Sequence, residues 1–164
     1  MKKLVLLLTI VSSMAVSILT MRAQPALLPK DETDAIVLKF QTTYADTFNR
    51  RDPKGMAALF TENASLQNEW GDVVQGRANI EAVLIGLMAH LPAGVKLEDT
   101  PVASHAVADG IIVSQGTSHR IVPNEKPVEM FFTRVLLWQG GEWLLAATQI
   151  ARPSTVPKPS SPPK

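Results

Sequence analysis

Histidine is the side chain whose ordinary pKa lets it trade protons near neutrality, and the chain has three: His90, His105 and His119. His105 and His119 flank Asp109-Gly110, a dipeptide that favours a two-residue hairpin turn, and each lies seven residues from position 112. Pairing close to that turn would set the two imidazoles side by side on adjacent strands, where one could act as general base. A hydrolase, lyase or isomerase built on that pair is one expectation. His90 closes a helix far from the hairpin, and no His-x-x-x-His or Glu-x-x-His spacing occurs, so no metal site is expected. The glycines are scattered, and Gly140-Gly141 reads as a hairpin turn rather than a phosphate-binding loop. Nicotinamide and flavin cofactors are therefore not expected, nor any other. With no cysteine in the chain, disulfides, thiolate zinc sites, iron–sulfur clusters and a cysteine nucleophile are excluded.

The elements that would carry these residues follow from periodicity. Asp31 is a candidate N-cap with Asp34 three residues on, and Val37, Phe40, Tyr44 and Phe48 form one helical stripe reaching Asn49. Asp52-Pro53 opens a second, short helix carrying Met56, Leu59 and Phe60 and ending near Thr61. Alternation from Ala64 to Trp70 predicts a strand with Leu66, Asn68 and Trp70 on one face and Ser65, Gln67 and Glu69 on the other. A turn at Gly71-Asp72 and a short return strand precede a third helix, with Ile80, Leu84, Leu87 or Met88, and Leu91 as its stripe. Four long strands follow, over residues 95–107, 111–121, 128–138 and 143–151. Three helices and about six strands in this order predict an α+β fold with an antiparallel sheet.

The 164 residues suit one domain, and 16 Lys+Arg against 15 Asp+Glu give a net charge of +1. That average hides a partition, because residues 31–152 hold ten Lys/Arg and all fifteen Asp/Glu, a net charge of −5. An acidic middle without a cationic cluster argues against nucleic acid as partner and favours a neutral or cationic ligand over a polyanion. Hydrophobic content of 46% with 19% charged residues excludes a disordered chain. Lys2 and Lys3 precede the apolar run Leu4 to Val11, the order of a secretory signal peptide over residues 1–23, with cleavage after Ser17 or Ala23. Export to the periplasm or medium is expected. If the segment is not cleaved, the 18 mostly apolar residues Leu4 to Met21 would anchor the chain in a membrane. Residues 153–164 hold five prolines and three serines, the composition of a disordered tail.

Five short segments carry a resemblance to a known family. They are Tyr44 to Asp52, Met56 to Ala64, Trp70-Gly71, Gln75 to Ile80, and Gly141-Glu142-Trp143-Leu144-Leu145. In this order they resemble the SnoaL-like and SgcJ-type branch of the nuclear transport factor two superfamily, over about residues 31–152. The resemblance implies a cone in which a curved sheet wraps the long N-terminal helix and leaves a pocket at the wide end. It fixes no reaction, because the fold hosts isomerases, dehydratases, epoxide hydrolases, cyclases and proteins without chemistry.

The templates of those relatives fit this chain poorly. Steroid isomerases of the superfamily use a helix tyrosine, a strand aspartate as base and a protonated acid. Tyr44 falls at the tyrosine position, but Asn68 and Thr133 fall near the other two, and an amide cannot serve as a base. Epoxide hydrolases use an Asp-Arg-Asp set. The strand acids here are Glu69, Glu98, Asp99, Glu129 and Glu142, with Arg120 and Arg134 as partners, and alternation places Glu69 and Glu129 outside. What remains is a pocket lined by Tyr44, Leu66, Asn68 and Trp70 with inward residues of the last strands, including Gln149. Such a pocket implies binding of a small, mostly apolar molecule through Tyr44, Asn68, Trp70 and Gln149. Apolar residues on both faces of Met130 to Trp138 call for a cover on the second face, so a homodimer is expected. A dimeric interaction domain whose pocket is filled is the third expectation.

Overall fold

A computed structural model describes residues 27–154. The expected leader lies outside the described residues, as does the proline-rich segment beyond Ser154. No helix among the described residues is long and apolar enough to cross a membrane.

Helix α1 (Lys30–Asn49) buries the expected stripe of Val37, Phe40, Tyr44 and Phe48, with Gln41 and Thr47 beside it. Its start differs from expectation: Pro29 holds the N-cap position, and no side chain caps the helix there. Thr33 instead closes the first turn, donating from both its N–H and its hydroxyl to the Pro29 carbonyl at 2.9 Å. Asp31 falls inside the first turn, where its charge still opposes the positive end of the helix dipole. Helix α2 (Pro53–Ala58) begins as predicted, with the Asp52 carboxylate accepting from Gly55 N–H at 2.8 Å. It stops earlier than expected. The last strand captures the chain here, Leu145 N–H donating to Leu59 C=O at 2.8 Å, and Phe60 opens a strand.

The strands are β1 (Phe60–Gln67), β2 (Val73–Gln75), β3 (Lys96–Ala108), β4 (Ile111–Ile121), β5 (Val128–Gln139) and β6 (Glu142–Ala151). Helix α3 (Arg77–His90) separates β2 from β3 and buries Ile80, Leu84 and Met88. All six strands join one sheet in the order β2-β1-β6-β5-β4-β3. The α+β class, three helices and six-stranded curved sheet match the expected cone. One pairing differs from an all-antiparallel sheet, because β1 runs parallel to β6. Strand β2, helix α3 and strands β3 to β5 intervene in the chain between these two parallel neighbours.

The concave face of the sheet packs on α1. Its alternation is legible in β4, where Ile112, Ser114, Gly116 and Ser118 are buried, and in β5, where Met130, Phe132, Arg134 and Leu136 are buried. One rung of this face is polar: Ser104, Ser114, Arg134 and Thr148 are register neighbours on β3, β4, β5 and β6, and all are buried. Gln41 of α1 donates to Ser114 Oγ at 3.1 Å, and Ser104 donates to the Asp34 carboxylate at 2.6 Å. These contacts set how α1 lies along the sheet.

Candidate functional site

Between α1, α3 and the wide end of the sheet lies a cavity of about 130 Å³ that opens to solvent beside Trp70. Larger depressions of about 510 and 560 Å³ lie on the outside of the molecule and open broadly to solvent. The interior cavity is the stronger site, because enclosure rather than volume removes a ligand from water. Tyr44 and Phe48 reach it from α1, Leu84 from α3, Leu66 from β1, Ser118 and Arg120 from β4, and Met130, Phe132 and Arg134 from β5. Its walls are mainly hydrocarbon, and its polar groups are few.

The most buried of those polar groups is Arg134, which is 2% exposed. Its guanidinium lies between two aromatic rings, 4.1 Å from the Tyr44 centroid and 4.2 Å from that of Phe132. Arginine suits such a place because its flat, weakly hydrated cation stacks on ring faces. The counter-charge is Asp99 of β3, whose Oδ2 lies 2.6 Å from Arg134 Nη1 and whose side chain is fully buried. The pair is in contact without the alignment of a hydrogen bond. Both Asp99 oxygens and the Nε and Nη1 of Arg134 are buried with no hydrogen-bond partner. Burial pushes the Tyr44 phenol above its ordinary pKa; Arg134 opposes that shift and Asp99 adds to it, so the hydroxyl stays protonated at neutral pH.

Gly116 makes this stack possible. A Cβ there would stand 2.2 Å from the Thr100 carbonyl oxygen and 2.5 Å from the Phe132 ring. The missing side chain lets Phe132 lie across β4 and cover one face of Arg134. An isolated glycine inside a strand pattern is the sequence signal for such close approach.

At the mouth, Glu69 accepts from Arg120 at 3.1 and 3.3 Å and from Arg152. Burial raises the Glu69 pKa, but the hydrogen bonds and charges of Arg152 and Arg120 outweigh it and hold the carboxyl below its ordinary value. The expectation that Glu69 faces solvent is corrected, since its side chain is only 6% exposed. Strand β1 ends at Gln67, so alternation does not extend to Glu69, which belongs to a turn. Glu129 is exposed, as expected.

Of the predicted ligand-binding residues, Tyr44, Asn68 and Trp70 line the cavity. Asn68 does so as the centre of a turn rather than as a strand residue. Its Oδ1 accepts from the N–H groups of Trp70 and Asp72 at 3.0 and 2.9 Å, and its Nδ2 donates to the Asp72 carboxylate. Trp70 forms the rim and is 67% exposed, with the Arg152 guanidinium 5.7 Å from its ring centroid. Gln149 is placed elsewhere, exposed on the convex face beside Thr133 and Phe131. A bulge between Val135 and Leu136 shifts the register against β6, so Leu145 and Thr148 both face inward at odd spacing and Gln149 faces out.

The histidines are also placed differently from expectation. His105 pairs with Val113 and His119 with Glu98, so the two are not cross-strand neighbours. The turn at Asp109-Gly110 sets a pairing centred near residue 109, not 112. Both histidines alternate with the buried residues of their strands and point away from the cavity. His90 ends α3, its Nδ1 2.7 Å from the Gly86 carbonyl oxygen. Among the described residues no group of three His, Asp or Glu side chains is placed to hold a metal ion. Arg134 and Asp99, weighed in the sequence only among the candidates for an Asp-Arg-Asp set, form the buried charge pair of which Arg134 reaches the cavity.

Comparison with known proteins agrees with this architecture. No curated protein matches the chain. A protein of unknown function from Pseudomonas putida with the nuclear transport factor two-like fold superposes with a TM-score of 0.69 at 13% identity, covering 77% of this chain and 89% of that one. A domain of unknown function with a cystatin-like fold from Nostoc punctiforme gives 0.68 at 19% identity, covering 78% and 82%. ActVI-ORFA from Streptomyces coelicolor gives 0.63 at 24% identity, covering 73% and 96%. At these identities the likeness is one of fold. The model of the SnoaL-like domain matches residues 41–145, most of the described chain, and the protein belongs to that family, within the nuclear transport factor two superfamily.

Proposed function

We propose that this protein binds a small, mostly apolar organic molecule in the cavity between α1, α3 and the sheet, and that it does so after export. The observation that carries this reading is a hydrocarbon-walled cavity, largely shielded from solvent, with one buried, incompletely hydrogen-bonded cation, Arg134, on its wall. Most drug-sized sites enclose at least about 300 Å³, whereas an apolar cavity near 150 Å³ accommodates benzene. A volume of about 130 Å³ therefore selects a ligand of about one ring. Tyr44 supplies a protonated hydroxyl, and the Asn68 turn with Trp70 forms the entrance. A filled pocket, as in a purely structural domain, fits the cavity less well, and both hairpin histidines lie on the opposite face from it.

Calorimetric titration with ring-sized hydrocarbons and ketones tests the reading. Saturable binding at one site per chain is expected, and Ser118→Leu, which places side-chain volume in the cavity, should abolish it with the circular dichroism spectrum unchanged. Binding that survives this substitution would put the ligand elsewhere.

A further inference from the structure

The charges around the cavity narrow the ligand class further, an inference that rests on the binding reading above. A cationic ligand is disfavoured, because three arginines, Arg120, Arg134 and Arg152, stand against two carboxylates, Asp99 and Glu69. The acidic balance of the whole domain does not extend to this site. An anionic ligand is disfavoured for a different reason. Arg134 already neutralises Asp99, whose carboxylate is fully buried, so a second carboxylate on the same guanidinium would leave an uncompensated negative charge in a poorly solvated place. Yet Arg134 lines the cavity and is a pure donor with five N–H groups, so what it offers a ligand is a hydrogen bond from a guanidinium whose charge Asp99 already balances. The complement is an acceptor without a charge.

We infer that the site takes a neutral, ring-sized molecule bearing a carbonyl or similar acceptor oxygen directed at Arg134, with Arg134 setting the specificity. The rings of Tyr44 and Phe132 hold the guanidinium plane, so the donor direction is fixed before the ligand arrives. Asp99 does not line the cavity; it positions Arg134 and cancels its charge.

Three probes of similar size separate the possibilities: cyclohexanone, its hydrocarbon counterpart methylenecyclohexane, and cyclohexanecarboxylate, each titrated into the full chain at pH 7. Cyclohexanone should bind at least about tenfold more tightly than methylenecyclohexane, the effect of one hydrogen bond from a charged donor, and more tightly than the carboxylate. In the double variant Asp99→Leu/Arg134→Met, which removes both charges together, the ketone should lose its advantage while methylenecyclohexane still binds. Equal affinity for ketone and hydrocarbon in the wild-type protein would overturn the role of Arg134 and leave the binding reading standing. Tightest binding of the carboxylate would overturn the neutral class. Binding of none of the three would remove both readings. If the double variant does not fold, the wild-type comparison decides alone.

Discussion

Arg134 and Asp99 form an ion pair removed from water, which makes single and double substitutions behave differently. Arg134→Met alone leaves the Asp99 carboxylate buried and unpaired, and should cost about 3–5 kcal/mol in denaturant unfolding. Asp99→Leu/Arg134→Met together should cost far less, since apolar replacement of a whole buried pair is often neutral or stabilising. Glu69 shows the same chemistry at the surface end of the site. Its folded pKa lies below the unfolded value, so its contribution to stability is fully present above the unfolded pKa of about 4.3 and is lost as pH falls through the folded value. Glu69→Gln should flatten the decline in stability below about pH 5, followed by urea midpoints across pH; an unchanged acid limb would assign that decline to other carboxylates. Residue roles were only partly legible in the sequence. Tyr44 could be placed because helical periodicity fixes its face. Glu69 could not, because nothing local marks where β1 gives way to the Asn68 turn, and Asp99 and Arg134 gain their meaning from a contact across 35 positions of chain.

At the scale of elements, the deciding features are the points where regular alternation breaks. The bulge opposite Val135 and Leu136 turns Gln149 outward, and the turn at Asp109-Gly110 separates His105 from His119. Both are register effects, and a shift of one residue moves a side chain to the other face. The end of α2 is a tertiary effect, since the Leu59 carbonyl is claimed by β6 before the helix can use it. The bounds of β3 to β6, the extent of the long first helix and the Asp52 cap were legible, because propensity and periodicity, and at Asp52 capping, agree there. Gly116 offers a test at this scale. Gly116→Ala crowds the Thr100 carbonyl of β3 and forces the Phe132 ring away from β4, so it should destabilise the fold by about 1–3 kcal/mol and weaken ligand binding, because Phe132 then no longer holds Arg134. Wild-type stability in this variant would show that β3 at the Thr100 carbonyl and the Phe132 ring both give way at no cost.

Over the whole molecule, the sheet has one face on α1 and the cavity, and a convex face that is only partly polar. Phe131 is 42% and Val102 74% exposed there, and both border the shallow depression that contains Gln149. We propose that this face is covered by a second copy, as the two-sided apolar pattern of β5 predicts. Light scattering should return twice the chain mass at micromolar concentration, and Phe131→Glu should return a monomer; a monomeric wild-type protein would remove the dimer. The overall charge shows how far composition reaches. It locates acidity in the folded part of the chain, but cannot show that arginines gather at the cavity between α1, α3 and the sheet. The central claim is that this cavity binds a ring-sized molecule, and it is tested most directly by methyl NMR of the full chain titrated with cyclohexanone. Saturable shifts confined to cavity methyls such as Leu66, Leu84 and Met130 are predicted; shifts that do not saturate, or that centre on the convex face at Val102 and Val135, would contradict it.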